Sequence, residues 1–184
     1  TGAATAPTTT STTDGLAHLV TLTSPSQASL AGITFTIAGT DADGHTITDS
    51  VTGPASASTT TSVRYFKTIT TITPSATMGA LVLSIGIAVG AITQTIPLTN
   101  SIAAAGMTVA VTGTINYSVY ETFVNVYTND AQPVSTAISA LTSKTTMLSA
   151  NSSTSATGVY LLVNSLTASA TVTVWLNQSS SGMA

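Results

Sequence analysis

Between Ile33 and Val51 apolar side chains alternate with hydroxyl-bearing ones, and only the loop signal Asp41-Ala42-Asp43-Gly44 interrupts them. Ile33, Phe35 and Ile37 share one parity and Thr34 and Thr36 the other; Ile47 and Val51 then resume opposite Thr46, Thr48 and Ser50. A period of two buries one face of a strand and no face of a helix. Asp43-Gly44 suits a tight hairpin turn, whose central residues must tolerate positive φ. Gly53-Pro54 ends the pairing, and the low-complexity run Ala55–Ser62 predicts a polar loop. Val63–Thr73 predicts one further strand, stopped by Pro74.

The same logic extends along the chain. Gly15–Thr23 predicts a first strand. Leu81–Val89 is apolar on both parities, which predicts a strand covered on both faces, by the second half of the chain or by another subunit. Thr93–Leu98 predicts a short strand, and TNSIAAA (99–105) a boundary. In the second half, Met107–Val111 and Thr114–Thr128 read as strands. Ile115, Tyr117 and Val119 face one way, and Glu121 on their parity predicts a register shift. Val134–Met147 predicts a short strand or irregular segment. Val159–Val163 and Ala170–Leu176 predict a terminal hairpin, with Val172 and Val174 inward and Trp175 on the opposite face. About ten short strands separated by turn signals predict an all-β protein, an antiparallel β-sandwich or jelly-roll-like fold with room for two packed β subdomains. The expected segments are a flexible arm (1–13), β domains over 14–98 and 106–178, and a loose tail (179–184).

Composition narrows the function. Charged residues are 5% of the chain and Thr roughly a fifth of it, so polar strand faces are built from hydroxyls rather than charge. The cations are Arg64, Lys67 and Lys144, against a net charge of −3. Duplex nucleic acid is held by clustered Lys and Arg, so nucleic-acid binding is not expected. Without Cys there is no disulfide or thiol chemistry. The most apolar run, Met78–Ile92, falls short of the ~20 residues a membrane helix needs, and no membrane partner is expected. The opening residues lack the basic-then-apolar pattern of a signal peptide.

Few side chains offer chemistry. Asp41, Asp43 and Asp49 form an acidic cluster that reads either as a solvated turn or as a weak Ca²⁺ site; the remaining ligands of a calcium loop are missing, which favours the turn. His18 and His45 are the sole imidazoles, and no nucleophile-elbow, zinc-protease or phosphate-loop motif accompanies them. No enzymatic activity, catalytic residue or cofactor is expected. Arg64-Tyr65-Phe66-Lys67 gathers two cations and two aromatics, either as a contact patch or as a strand with alternate residues buried. Leu81, Leu83, Ile85 and Ile87 are interface candidates on the doubly apolar strand, and Tyr117, Tyr120, Phe123, Tyr127 and Trp175 are either core or interface.

Four stretches occur in an order that resembles a family of tailed-bacteriophage proteins: GTDADGHTITDSVTGP (39–54), SVRYFKTITTITPSA (62–76), VTGTINYSVYETFVNV (111–126) and VYLLVNSLTASATVTV (159–174). The resemblance covers most of residues 33–176. It departs at Asp49, where the family pattern has Glu, and in the Thr/Ser-rich region 131–158. It implies a non-enzymatic virion structural protein. The reading carried forward is a capsid decoration (cement) protein on the outer surface of the mature head, with the major capsid protein and copies of itself, as a homotrimer, for partners. A trimer suits the local three-fold positions of an icosahedral lattice. The alternatives are a tail, neck or fibre component and, less favoured, a secreted adhesin or carbohydrate-binding module.

Overall fold

The computed structural model describes residues 11–25, 29–79, 81–98, 105–128, 132–152, 155–167 and 169–178. Most of the expected arm, most of the 99–105 boundary and the whole 179–184 tail lie outside them. The chain divides into two compact units, 1–91 and 92–184. Both are built from antiparallel strand pairs, and the described residues hold no α-helix.

The first unit contains β1 (Ala17–Thr23), β2 (Thr34–Thr40), β3 (Thr46–Thr52), β4 (Thr59–Phe66), β5 (Thr68–Pro74) and all but the last residue of β6 (Ser84–Ile92). One sheet has the order β6-β1-β4 and the other β3-β2-β5. Their inward parities meet in one core: Val20 and Leu22 of β1, Phe35 and Ile37 of β2, Ile47 and Val51 of β3, Phe66 of β4 and Ile72 of β5, with Leu30. Each such side chain contributes roughly 1.5–3 kcal/mol by leaving water. The alternation that predicts β2 and β3 is therefore a burial pattern.

Two expectations need correction here. The strand expected over Val63–Thr73 is two strands in different sheets. β4 ends with Phe66 buried, and the Lys67 amide donates to Thr40 O (2.8 Å) in the opposite sheet, so the chain turns the corner at a single residue. Ile69 and Ile72 still reach the same core, because the β2–β5 register slips between Ala38 and Gly39. The loop expected over Ala55–Ser62 is shorter: Thr59, Thr60 and Thr61 pair with Thr23, Leu22 and Thr21. β-Branched Thr suits such an edge strand.

The second unit contains β7 (Ile96–Pro97), β8 (Ala105–Thr112), β9 (Ile115–Thr122), β10 (Ser135–Ala137), β11 (Leu148–Ser152), β12 (Gly158–Leu166) and β13 (Thr171–Gln178). β10-β9-β12, with β7 on β12, face β11-β8-β13 across Met107, Val109, Ile115, Tyr117, Val119, Leu141, Val159, Leu161 and Val163. Two 3₁₀ turns, Gln132–Val134 and Ser139–Leu141, flank β10, so the 134–147 region is largely irregular as expected. The expected terminal hairpin does not form. β12 pairs with β9 and β13 with β8, so the chain changes sheets between these two strands, where Ala170 N donates to Thr167 O (2.9 Å). Val172 and Val174 do pack on the core, and Trp175 is exposed. Glu121 causes no register shift: it pairs in line with Val159 and Thr136 and is buried, while the slip lies between Val163 and Ser165.

Gly39 sits where β2 passes β5 with no room for a side chain. A Cβ there would lie 2.0 Å from Thr68 O, whereas one on Gly32 would meet nothing within 4 Å. Gly39→Ala is expected to lower unfolding free energy by about 1–3 kcal/mol or more, since main chain must shift. Gly32→Ala should change it by no more than about 0.5 kcal/mol. Urea midpoints of the two variants check this, and equal midpoints would refute it.

Candidate functional site

The β2–β3 connection is a five-residue loop, 41–45, wound around one side chain. Asp41 is 2% exposed. Its Oδ1 accepts from the Asp43 and His45 amides (2.9 and 2.8 Å), and its Oδ2 lies 3.1 Å from His45 Nδ1. Gly44 takes φ +91°. The two-residue turn expected at Asp43-Gly44 is replaced because the Asp41 carboxylate supplies the acceptor that closes a longer loop. Asp41, Asp43 and His45 bring one ligand atom each within 4.8 Å of one another. Calcium takes six to eight oxygens, whereas this group offers two carboxylates and a ring nitrogen, with one carboxylate already holding two amides.

Asp49, the third acid of the expected cluster, works elsewhere. Its Oδ2 accepts from the Val63 and Arg64 amides (2.6 and 3.1 Å) and its Oδ1 from the Ser50 amide (2.8 Å). The β1–β4 register explains why. Leu19 pairs with Tyr65 and Thr21 with Thr61, so Ser62, Val63 and Arg64 all lie opposite Val20. Ser62 Oγ accepts from Val20 N and donates to Arg64 O, both at 2.8 Å. Ser62 and Asp49 thus satisfy the main chain of a wide bulge. Of the expected Arg64–Lys67 contact patch, Phe66 is core and unavailable to a partner; Arg64, Tyr65 and Lys67 are half-buried, and Val63 is 82% exposed.

Lys67, Ile85 and Ile87 come together at a cleft of about 220 Å³. Val20, Phe66 and Ile69 line it from the core, Ile85–Ile87 from β6, and Ser11–Thr13 from the segment before β1. That segment is pinned by Thr12 N donating to Lys67 O (3.3 Å) and by Asp14, whose Oδ1 accepts from Leu16 N (3.0 Å) and whose Oδ2 lies 2.9 Å from His18 Nε2. His18 Nδ1 faces Ala88 O at 3.4 Å, so both ring nitrogens are engaged. Leu83 and Ile85 border a second hollow of about 70 Å³, with Phe35, Ile72, Pro74 and Met78. Leu81 is exposed.

The aromatic side chains separate cleanly. Tyr117 is core, and its hydroxyl donates to Thr146 O (2.9 Å); burial pushes that phenol's pKa up. Tyr120 stacks on Tyr160 with ring centroids 5.5 Å apart. Phe123, Tyr127 and Trp175 are exposed. The cleft and the Asp14–His18 pair escaped the sequence reading. One signal was there: in both DGLAH (14–18) and DADGH (41–45) an Asp precedes the His by four residues.

Burial alone would raise the Asp14 pKa, but the Leu16 amide and His18, by hydrogen bond and by charge, outweigh it and hold the carboxyl below its ordinary 3.8. A depressed carboxyl contributes stability above its unfolded-state pKa and loses it as pH falls through the folded-state value. The stability advantage of the native chain over Asp14→Asn is therefore expected near neutral pH and should shrink below about pH 4. Denaturant midpoints across that range check it, and a constant difference would refute it.

Comparison with known proteins gives no match: no family model, no curated protein and no solved structure matches the chain.

Proposed function

We propose that this chain is a tailed-phage virion structural protein, and within that class a capsid decoration (cement) protein that binds the outer surface of the mature head as a homotrimer. The observation that carries the reading is the ordered series of motifs at 39–54, 62–76, 111–126 and 159–174. Two of these motifs act on each other in the fold. Asp49 of the first caps the bulge at Val63 and Arg64 of the second, which accounts physically for an acidic residue at that position.

Exposed apolar surface supports a binding role. Ile87 is 56% and Val89 85% exposed on β6, and Val82 is exposed just before it. Such clustered surface marks interaction sites. Cementing needs no chemistry: a protein that binds only the assembled, expanded shell stabilises it by mass action.

The test is co-sedimentation of the purified chain with mature capsids stripped of accessory proteins. Saturable binding at hundreds of copies, absent on unexpanded shells, is the expected result. No binding, with a few copies per whole virion, would move the chain to the tail or neck. Glycan binding without virion association would favour an adhesin. Val89→Asp, at a surface position where folding stability should change by no more than about 0.5 kcal/mol, is expected to weaken capsid binding by about tenfold or more. Unchanged binding would remove β6 from the docking surface.

A further inference from the structure

We infer that the cleft beside Lys67 is a binding site for a small amphipathic carboxylate, with its apolar tail against β6 and its head at the Lys67 ammonium. This inference is independent of the virion reading. Its first support is the contrast between depth and rim. Phe66 and Val20 belong to the buried core, yet the cleft leads down to them between Ile69 and the half-open side chains of Ile85 and Ile87. Water against this apolar wall gains few hydrogen bonds, and an alkyl or aryl group displaces it favourably, while Ser11–Thr13 and Lys67 supply the polar side of the cleft. The volume, about 220 Å³, exceeds the ~150 Å³ of an apolar cavity that admits benzene, so a short alkyl chain or a single ring fits.

Charge selects the head group. Lys67 is one of three cations in a chain of net charge −3. Among the described residues its ammonium has no hydrogen-bond or ion-pair partner. Its main chain, by contrast, is fixed on both sides, the amide donating to Thr40 O (2.8 Å) and the carbonyl accepting from Thr12 N (3.3 Å). The charge therefore rides on a short tether from an anchored point at the cleft. A compact ammonium beside an apolar surface complements one carboxylate followed directly by a hydrocarbon tail. A single cation matches a monoanion better than a phosphate carrying two charges.

The experiment titrates the full chain with sodium octanoate while amide ¹H–¹⁵N resonances are recorded, with 1-octanol as the uncharged control. Saturable shifts are expected at Thr12, Lys67, Gly86 and Ile87, with Trp175 in the other unit unmoved. Octanol should bind more weakly at the same residues. Lys67→Met, which keeps the stem and removes the charge, should weaken octanoate by about tenfold, the equivalent of one charge-assisted hydrogen bond, and leave octanol unchanged. Ile87→Asp, at an exposed position, should abolish octanoate shifts while the native spectrum persists elsewhere. If Lys67→Met disturbs the fold, Lys67→Gln serves the same comparison. Absence of saturation, equal affinity for octanoate and octanol, or octanoate binding indifferent to Lys67 would each overturn the inference.

Discussion

Main-chain hydrogen bonding where strands break is the constraint on which the first unit depends. A buried amide left without a partner costs about 1–3 kcal/mol, and a chain with only three cations and six acids has few strong partners to place. They are concentrated there. Asp14 accepts from the Leu16 amide, Asp41 from Asp43 and His45, and Asp49 from Ser50, Val63 and Arg64. Half of the acids are thereby committed to holding irregular backbone. That is why the three-acid cluster legible in the sequence divides in space: Asp49 is drawn to the β4 bulge, while Asp41, turned inward to close its own loop, stays beside Asp43 and His45.

Faces were legible in the sequence, and sheets were not. The parities of Phe35 and Ile37, of Ile115, Tyr117 and Val119, and of Val172 against Trp175 all correspond to observed burial. Alternation reports which side of a strand meets the core, and both sheets of a sandwich meet the same core. A switch between sheets therefore leaves no trace in the pattern. Among the corners that went unread are those at Lys67, at Gly113 between β8 and β9, and between β12 and β13. Bulges are hidden for a related reason. The Ser62–Arg64 bulge is written in the side chains that satisfy it, Ser62 and Asp49, and these are common polar residues whose role appears only when the register is known. Glu121 errs the other way. A charged residue on an inward parity argues for a slip, yet the strand keeps its register and buries the carboxylate.

The site candidates divide by the same physics. Arg64-Tyr65-Phe66-Lys67 is conspicuous as a string, but a strand ending at a corner points Phe66 into the core and leaves Lys67 at the rim. The cleft itself could not be read, because it is assembled from residues 11–13, 20, 66, 67, 69 and 85–87, which only strand pairing brings together.

β6 is where local pattern and global fold disagree. Apolar on both parities, it reads as a strand covered on both faces, yet none of its residues belongs to the buried cluster of its unit, and Ile85, Ile87 and Val89 stay open. Contiguous apolar surface left open to water invites association. Natural sequences are locally consistent except where function requires otherwise. Of the positions on β6, Ser84 and Gly86 relieve one parity of bulk, while Ile85, Ile87 and Val89 place large apolar side chains on the other. A strand face shaped only for water would carry hydroxyls where these three stand, as β3 does at Thr46, Thr48, Ser50 and Thr52. The same chain follows that rule on β3 and breaks it on β6, so solubility alone does not account for the apolar face of β6.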